Sequence, residues 1–217
     1  MTSRDAEPTR TRILEAAGEM FANHGFQATT VREISQSAGA NVAAVNYYFG
    51  DKQRLYVESV KQAHRWHMER ASLPDWSNDT PAVDKLQGFI STFLLRIRSG
   101  PSDSWQTRLM MRELKQQDET CVAVVEDSIR PQFEILMEIL RELLPPETSE
   151  EKLHLTAFSI VGQCLFYHLA DPVVRTLLAP DEYAGYQVEK LSRHISEFVL
   201  AALVPGNVSR KQTLPPS

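Results

Sequence analysis

The sequence predicts an all-α fold. Apolar residues recur at helical spacing along most of the 217-residue chain, and no segment alternates apolar and polar residues as a half-buried strand does. Glycines, prolines and helix-capping residues mark the boundaries between the periodic stretches. No internal repeat or low-complexity tract interrupts the pattern.

The stretch Thr9 to Leu55 reads as three short helices. The first carries Ile13, Leu14, Ala17, Met20 and Phe21 on one face, and Gly25 stands where a left-handed residue would end it. Thr30-Val31-Arg32-Glu33 is a capping box, in which Thr30 and Glu33 each satisfy the other's unpaired backbone N–H. It opens a second helix whose inner face continues through Ile34 and Ala38 to Gly39. Asn41 is a good N-cap for a third helix, running through Val45 to Phe49 and broken by Gly50. Two helices joined by a tight glycine-containing turn and supported by a third follow the helix-turn-helix plan, which lays one helix in a DNA major groove.

Beyond Leu55 the pattern stays helical. A long helix is expected from Asp51 to about Ala71, followed by a loop from Leu73 to Asp79. Thr80 as N-cap with Pro81 at the first helical position starts a helix through Leu86, Phe89, Ile90, Phe93 and Leu94, ended by Gly100-Pro101-Ser102. Further helices are expected over Ser104–Gln117 and Thr120–Leu144. Pro131 should kink or split the second, because it removes a ladder hydrogen bond. Thr148–Ala170 and Pro180–Leu203 complete the set, linked by a short helical piece after Pro172. The expected division is a helix-turn-helix domain at 9–56, a helical ligand-binding and dimerisation domain at 57–204, and a disordered tail at 205–217.

Composition narrows the setting. No apolar run is long enough to span a bilayer and the N-terminus lacks the apolar core of a signal peptide, so a cytoplasmic protein is expected. Cys121 and Cys164 are the two thiols, expected to be buried and inert. The net charge is −5, which at first argues against a nucleic-acid partner. Residues 1–70 carry about +1, however, and the acidity lies in the remainder at −6. A small helical reader needs only a few well-placed cations and backbone N–H groups.

The motifs Ile13-Leu14-xx-Ala17, Phe21-xxx-Gly25-Phe26, Thr29-Thr30-Val31-xx-Ile34, Ala38-Gly39 and Tyr47-Tyr48-Phe49-xx-Lys52-xx-Leu55 resemble the TetR family of bacterial transcription regulators over the first quarter of the chain. One departure is Asn46, where TetR-like sequences often have tyrosine. The segment from Ile129-Arg130-Pro131 to Gln163-Cys164-Leu165-Phe166 is also similar to a CecR-like branch.

A reader helix this short needs apolar anchors, so Val45, Tyr48 or Phe49 must face inward, leaving Val42, Ala43, Asn46 and Tyr47 outward. Asn46 can pair bidentately with an adenine edge, and Val42 or Ala43 can touch a thymine methyl. Tyr47 can donate its hydroxyl to a phosphate; Lys52 and Thr30, each at a helix start, can meet the same phosphate run. The resemblance implies these roles for the matching positions.

Three further features have a functional and a plain reading. His64 and His67 have a spacing that can present both to a metal, though an exposed helix face explains them as well; no metal or other cofactor is called for. Gln163, Phe166, Tyr167 and His168 can line a pocket or belong to ordinary core, as can Trp105, Arg108 and Met111. The last two long helices are apolar around much of their circumference, through Leu155, Phe158, Ile160, Val161, Leu165 and Phe166 in one and Val188, Leu191, Ile195, Phe198, Val199 and Ala202 in the other. TetR-like proteins pair such helices into a dimeric four-helix bundle, and a two-fold dimer fits a palindromic operator.

The function expected is a ligand-responsive repressor that binds double-stranded DNA as a homodimer and is released by a small-molecule effector. An activator built from the same parts, an all-helical enzyme and a helical interaction module are the rivals. The enzyme reading lacks a convergent nucleophile, base and oxyanion set.

Overall fold

The structure, a computed structural model, describes residues 3–98, 100, 104–113, 122 and 125–203. Cys121, the break at Pro101-Ser102 and the tail at 205–217 lie outside these residues. No strand is present among the described residues. The helices are α1 (Ser3–Ala28), α2 (Val31–Ser37), α3 (Val42–Phe49), α4 (Lys52–Met68), α5 (Ala82–Arg98) and α6 (Trp105–Glu113). A π-helical turn (Val125–Ile129) leads into α7 (Arg130–Leu143), followed by α8 (Glu150–Leu169), α9 (Asp171–Leu177), α10 (Pro180–Ala184) and α11 (Val188–Leu203). Pro131 is the second residue of α7, so the helical register changes where its missing N–H was expected to act.

The chain divides into two compact units, residues 1–70 with 100–132 and residues 71–99 with 133–217. In the first, Ile13, Ala17 and Phe21 of α1 meet Ile34 of α2, Val45 and Phe49 of α3, Leu55, Tyr56 and Val60 of α4, and Trp105 and Leu109 of α6. Full burial of each Val, Leu, Ile or Phe among these contributes about 1.5–3 kcal/mol. This grouping differs from a boundary at residue 56, because α6 lies against α1. The Trp105 Nε1 donates to the Glu15 carboxylate at 2.7 Å, Arg108 to Glu19 at 2.8 Å and Arg112 to the His24 carbonyl at 3.4 Å. Gly18 admits this approach: a Cβ there would stand 2.4 Å from the Trp105 ring. The Tyr56 hydroxyl, on α4, donates to the buried Glu113 carboxylate of α6.

The second unit closes Leu86, Ile90 and Leu94 of α5, Leu136 and Leu140 of α7, Leu153, Ile160 and Cys164 of α8, and Leu191, Ile195 and Val199 of α11 around one core. Burial pushes the Cys164 thiol up to about 12. With the thiolate so disfavoured, it behaves as a small apolar side chain.

Three local expectations are corrected. The stretch Pro180–Leu203 is two helices, because the Gly185 and Tyr186 N–H groups turn back to Glu182 and Tyr183, three residues earlier, and α10 tightens to a close. Thr80 does not cap α5. Its hydroxyl oxygen accepts from the Ser77 N–H at 3.1 Å, and Pro81 takes the cap position, its carbonyl accepting from Lys85. Gly25 has the positive φ expected of it (82°), but its ψ of 172° places it in the extended region that glycine alone enters readily, rather than in the left-handed helical one.

Candidate nucleic-acid interface

The first three helices are set by their caps. Thr30 accepts from the Glu33 N–H at 3.3 Å, while the Glu33 carboxylate accepts from the Thr30 N–H at 2.9 Å and its hydroxyl at 2.6 Å. Those bonds, the hydroxyl first, hold the Glu33 carboxyl below its usual range. Asn41 begins α3 by accepting from the Ala44 N–H at 2.7 Å.

From that start α3 has two faces. Val45 and Phe49 are buried against α1, α2 and α4, and Tyr48 is half-buried. Val42, Ala43, Asn46 and Tyr47 are exposed together, Tyr47 at 82%. The residues assigned outward from spacing alone therefore share one solvent-facing strip, with Thr30 also exposed at the start of α2. At the C-terminal end of the strip lies a groove of about 610 Å³, lined by Asn46, Tyr47 and Gly50 together with Gln53, Arg54 and Arg10.

Lys52 makes contacts within the protein. Its ammonium donates to the carbonyls of Phe26 at 2.9 Å and Thr29 at 3.0 Å and sits 4.2 Å from the centre of the Phe26 ring. These carbonyls take two of the three N–H donors of its ammonium. The groove also brings in Arg54 and Arg10, which the sequence reading did not single out. Arg54 lies one turn into α4 beside Gly50, and the Arg10 guanidinium lies 5.1 Å from the centre of the Phe49 ring and pairs with Glu58 at 3.5 Å. The visible signal for Arg54 was an arginine on the exposed first turn after Asp51.

The effector candidates divide between the units. Trp105, Arg108 and Met111 belong to the first, where Trp105 and Arg108 are tied to α1 as described. Gln163, Phe166, Tyr167 and His168 belong to α8 of the second. Phe166 is exposed, whereas the other three are partly covered. Burial, with Tyr186 nearby, pushes the Tyr167 phenol up. His64 and His67 lie on α4, the His67 ring packed edge-on against Trp66.

An all-helical chain that presents this strip from a capped helix-turn-helix is a DNA-binding transcriptional regulator in architecture. Comparison with known proteins gives the family. Residues 13–58 match the family described as bacterial regulatory proteins, tetR family, and residues 82–203 match the C-terminal domain of the HTH-type transcriptional dual regulator CecR. The chain belongs to the TetR family, in its CecR-like branch. It is 23% identical over 193 residues to the HTH-type transcriptional dual regulator CecR of Shigella flexneri, covering 85% of each chain. A tetR-family regulatory protein from Rhodococcus RHA1 superimposes with a TM-score of 0.62 at 19% identity, over 90% of this chain and 96% of that one. AibR, solved with isovaleryl coenzyme A and operator DNA, does so with a TM-score of 0.56 at 18% identity, over 91% and 98%. The two structural likenesses concern the fold.

Proposed function

We propose that the protein is a cytoplasmic repressor that binds a palindromic operator as a homodimer and leaves it when a small-molecule effector binds the second unit. The observation that carries this reading is the exposed strip Val42, Ala43, Asn46 and Tyr47 on a helix anchored from behind by Val45 and Phe49. In this reading Asn46 reads an adenine edge, Val42 and Ala43 meet thymine methyls, and Tyr47 and Thr30 contact phosphates.

The dimer reading is supported by apolar surface in the second unit. Leu155, Phe158, Phe166 and Leu169 are all more than half exposed and follow one another at helical spacing along α8, with Phe198 of α11 exposed as well. Gly162 interrupts the α8 stripe, and a Cβ there would meet nothing within 4 Å. A second copy can approach closely at that point, and burying the stripe would remove apolar surface that a monomer leaves in water. Cytoplasmic location is supported by family membership and by the absence, among the described residues, of any single helix long and apolar enough to cross a membrane.

The effector reading is supported by the mixed chemistry of α8, where Gln163, Tyr167 and His168 offer polar tips beside apolar wall. An effector releases DNA only if it prefers the form whose two readers no longer fit successive major grooves, since equal affinity for both forms shifts nothing. A thermal-shift screen followed by operator-release titration tests this. Compounds that raise the thermal midpoint and lower operator affinity are expected. Ligands that stabilise the protein while leaving operator affinity unchanged would contradict the switch. The dual-regulator designation of the Shigella flexneri relative favours a second reading, in which some promoters are activated from the same contacts.

A further inference from the structure

We propose that the cation presented to the DNA backbone beside the reader helix is Arg54, and that Lys52 serves instead to hold the segment between the Gly25 kink and α2. This rests on the DNA-binding reading above and names which charge meets the phosphate.

Lys52 is committed on three sides. It donates to the carbonyls of Phe26 and Thr29, and its charge lies 4.2 Å from the centre of the Phe26 ring. That ring in turn packs against Tyr56 at 5.1 Å between centroids, within the first core. Thr29 is fully buried, and its hydroxyl donates to the Gly25 carbonyl at 2.8 Å. Turning the ammonium toward a phosphate would leave the Phe26 and Thr29 carbonyls without this donor and separate a cation from its aromatic face. The Lys52 side chain therefore fixes the segment from the Gly25 kink to the start of α2, and through it the turn before α3.

Arg54 has the opposite surroundings. Its side chain is 76% exposed, and its carboxylate partner Asp51 is 3.8 Å away while also accepting the Arg54 backbone N–H at 2.8 Å as the cap of α4. An exposed pair of that length holds its members weakly. The guanidinium lies across Gly50, where a Cβ would stand 3.3 Å from Nη1, and it lines the groove shared with Asn46 and Tyr47. A planar fork of N–H donors beside the residues that face the bases matches the two free oxygens of a backbone phosphate. Arg10 lines the same groove, but it is two-thirds covered and paired with Glu58, whose carboxylate offsets its charge.

The test is a set of anisotropy titrations of the full chain against a labelled poly(dI·dC) duplex over a range of salt concentrations, since binding to such a sequence reports phosphate contacts. Arg54→Gln should lower the slope of log affinity against log salt by about 0.9, the contribution of one phosphate contact, and Arg54→Lys should keep it. Lys52→Met should keep the wild-type slope while lowering the thermal midpoint. An unchanged slope in folded Arg54→Gln, or a loss of one unit in Lys52→Met, would overturn the assignment. The Arg54 variants decide the matter even if Lys52→Met fails to fold. A wild-type protein that binds the duplex without salt dependence would overturn the DNA-binding reading itself.

Discussion

Asn46 carries the one carboxamide on the exposed strip of α3, and a carboxamide matches the N6 and N7 edge of adenine with one donor and one acceptor. Asn46→Ala should therefore relax the choice of base at one operator position, losing about 1–3 kcal/mol of discrimination there and leaving the others intact. Competition among single-base operator variants measures this, and an unchanged preference at every position would remove Asn46 from base reading. The Cys164 thiol gives a pH dependence. Its folded value, about 12, lies above the unfolded value near 9.0, so the folded state keeps a proton that the unfolded chain gives up. The stability linked to this group is complete below pH 9 and declines between pH 9 and 12. Native alkylation by iodoacetamide at neutral pH should accordingly be slow at Cys164, and rapid labelling of the folded protein would contradict that burial. At this scale the sequence showed which α3 residues turn outward, because helical period and two apolar anchors decide it. It concealed the Lys52 contacts, since the acceptors lie 23 and 26 residues away in the segment after the Gly25 kink, whose path depends on tertiary packing.

The helices are legible where local chemistry defines them and opaque where partners define them. Thr30 with Glu33 and Asn41 form the caps read from the sequence, because a cap is complete within four residues. Thr30→Ala should lower the stability of the first unit by about 1 kcal/mol, seen as a lower denaturation midpoint. The link between α1 and α6 was not legible, because Glu15 and Trp105 are 90 residues apart and nothing in either helix names the other. Gly18 makes that link testable. A methyl group there would sit 2.4 Å from the Trp105 ring, so Gly18→Ala should destabilise by about 1–3 kcal/mol through overpacking despite alanine's better helix propensity. Chemical denaturation decides, and a more stable Gly18→Ala variant would mean that α6 does not lie against α1 as described. The division of Pro180–Leu203 at Gly185 is intermediate, since the glycine was visible but the turn-tightening bonds were not.

For the whole molecule, the all-α class follows from the apolar period along the chain. The composition of the compact units did not follow, because α4 and α6 join α1 through contacts that the chain order hides. Assembly is predicted from the exposed apolar stripe of α8 and from Phe198. Phe158→Asp or Phe198→Glu should give monomers in sedimentation experiments at micromolar concentration, because a charge enclosed between subunits is left unpaired. A dimer that survives both changes would place the interface elsewhere. The most direct test of the central claim is selection of genomic DNA fragments by the wild-type protein, followed by footprinting of those retained. A DNA-reading dimer predicts enrichment of an inverted repeat, its half-sites centred about one helical turn or a multiple of it apart and protected together. Recovery of fragments with no shared motif, or a single half-site protected alone, would contradict it.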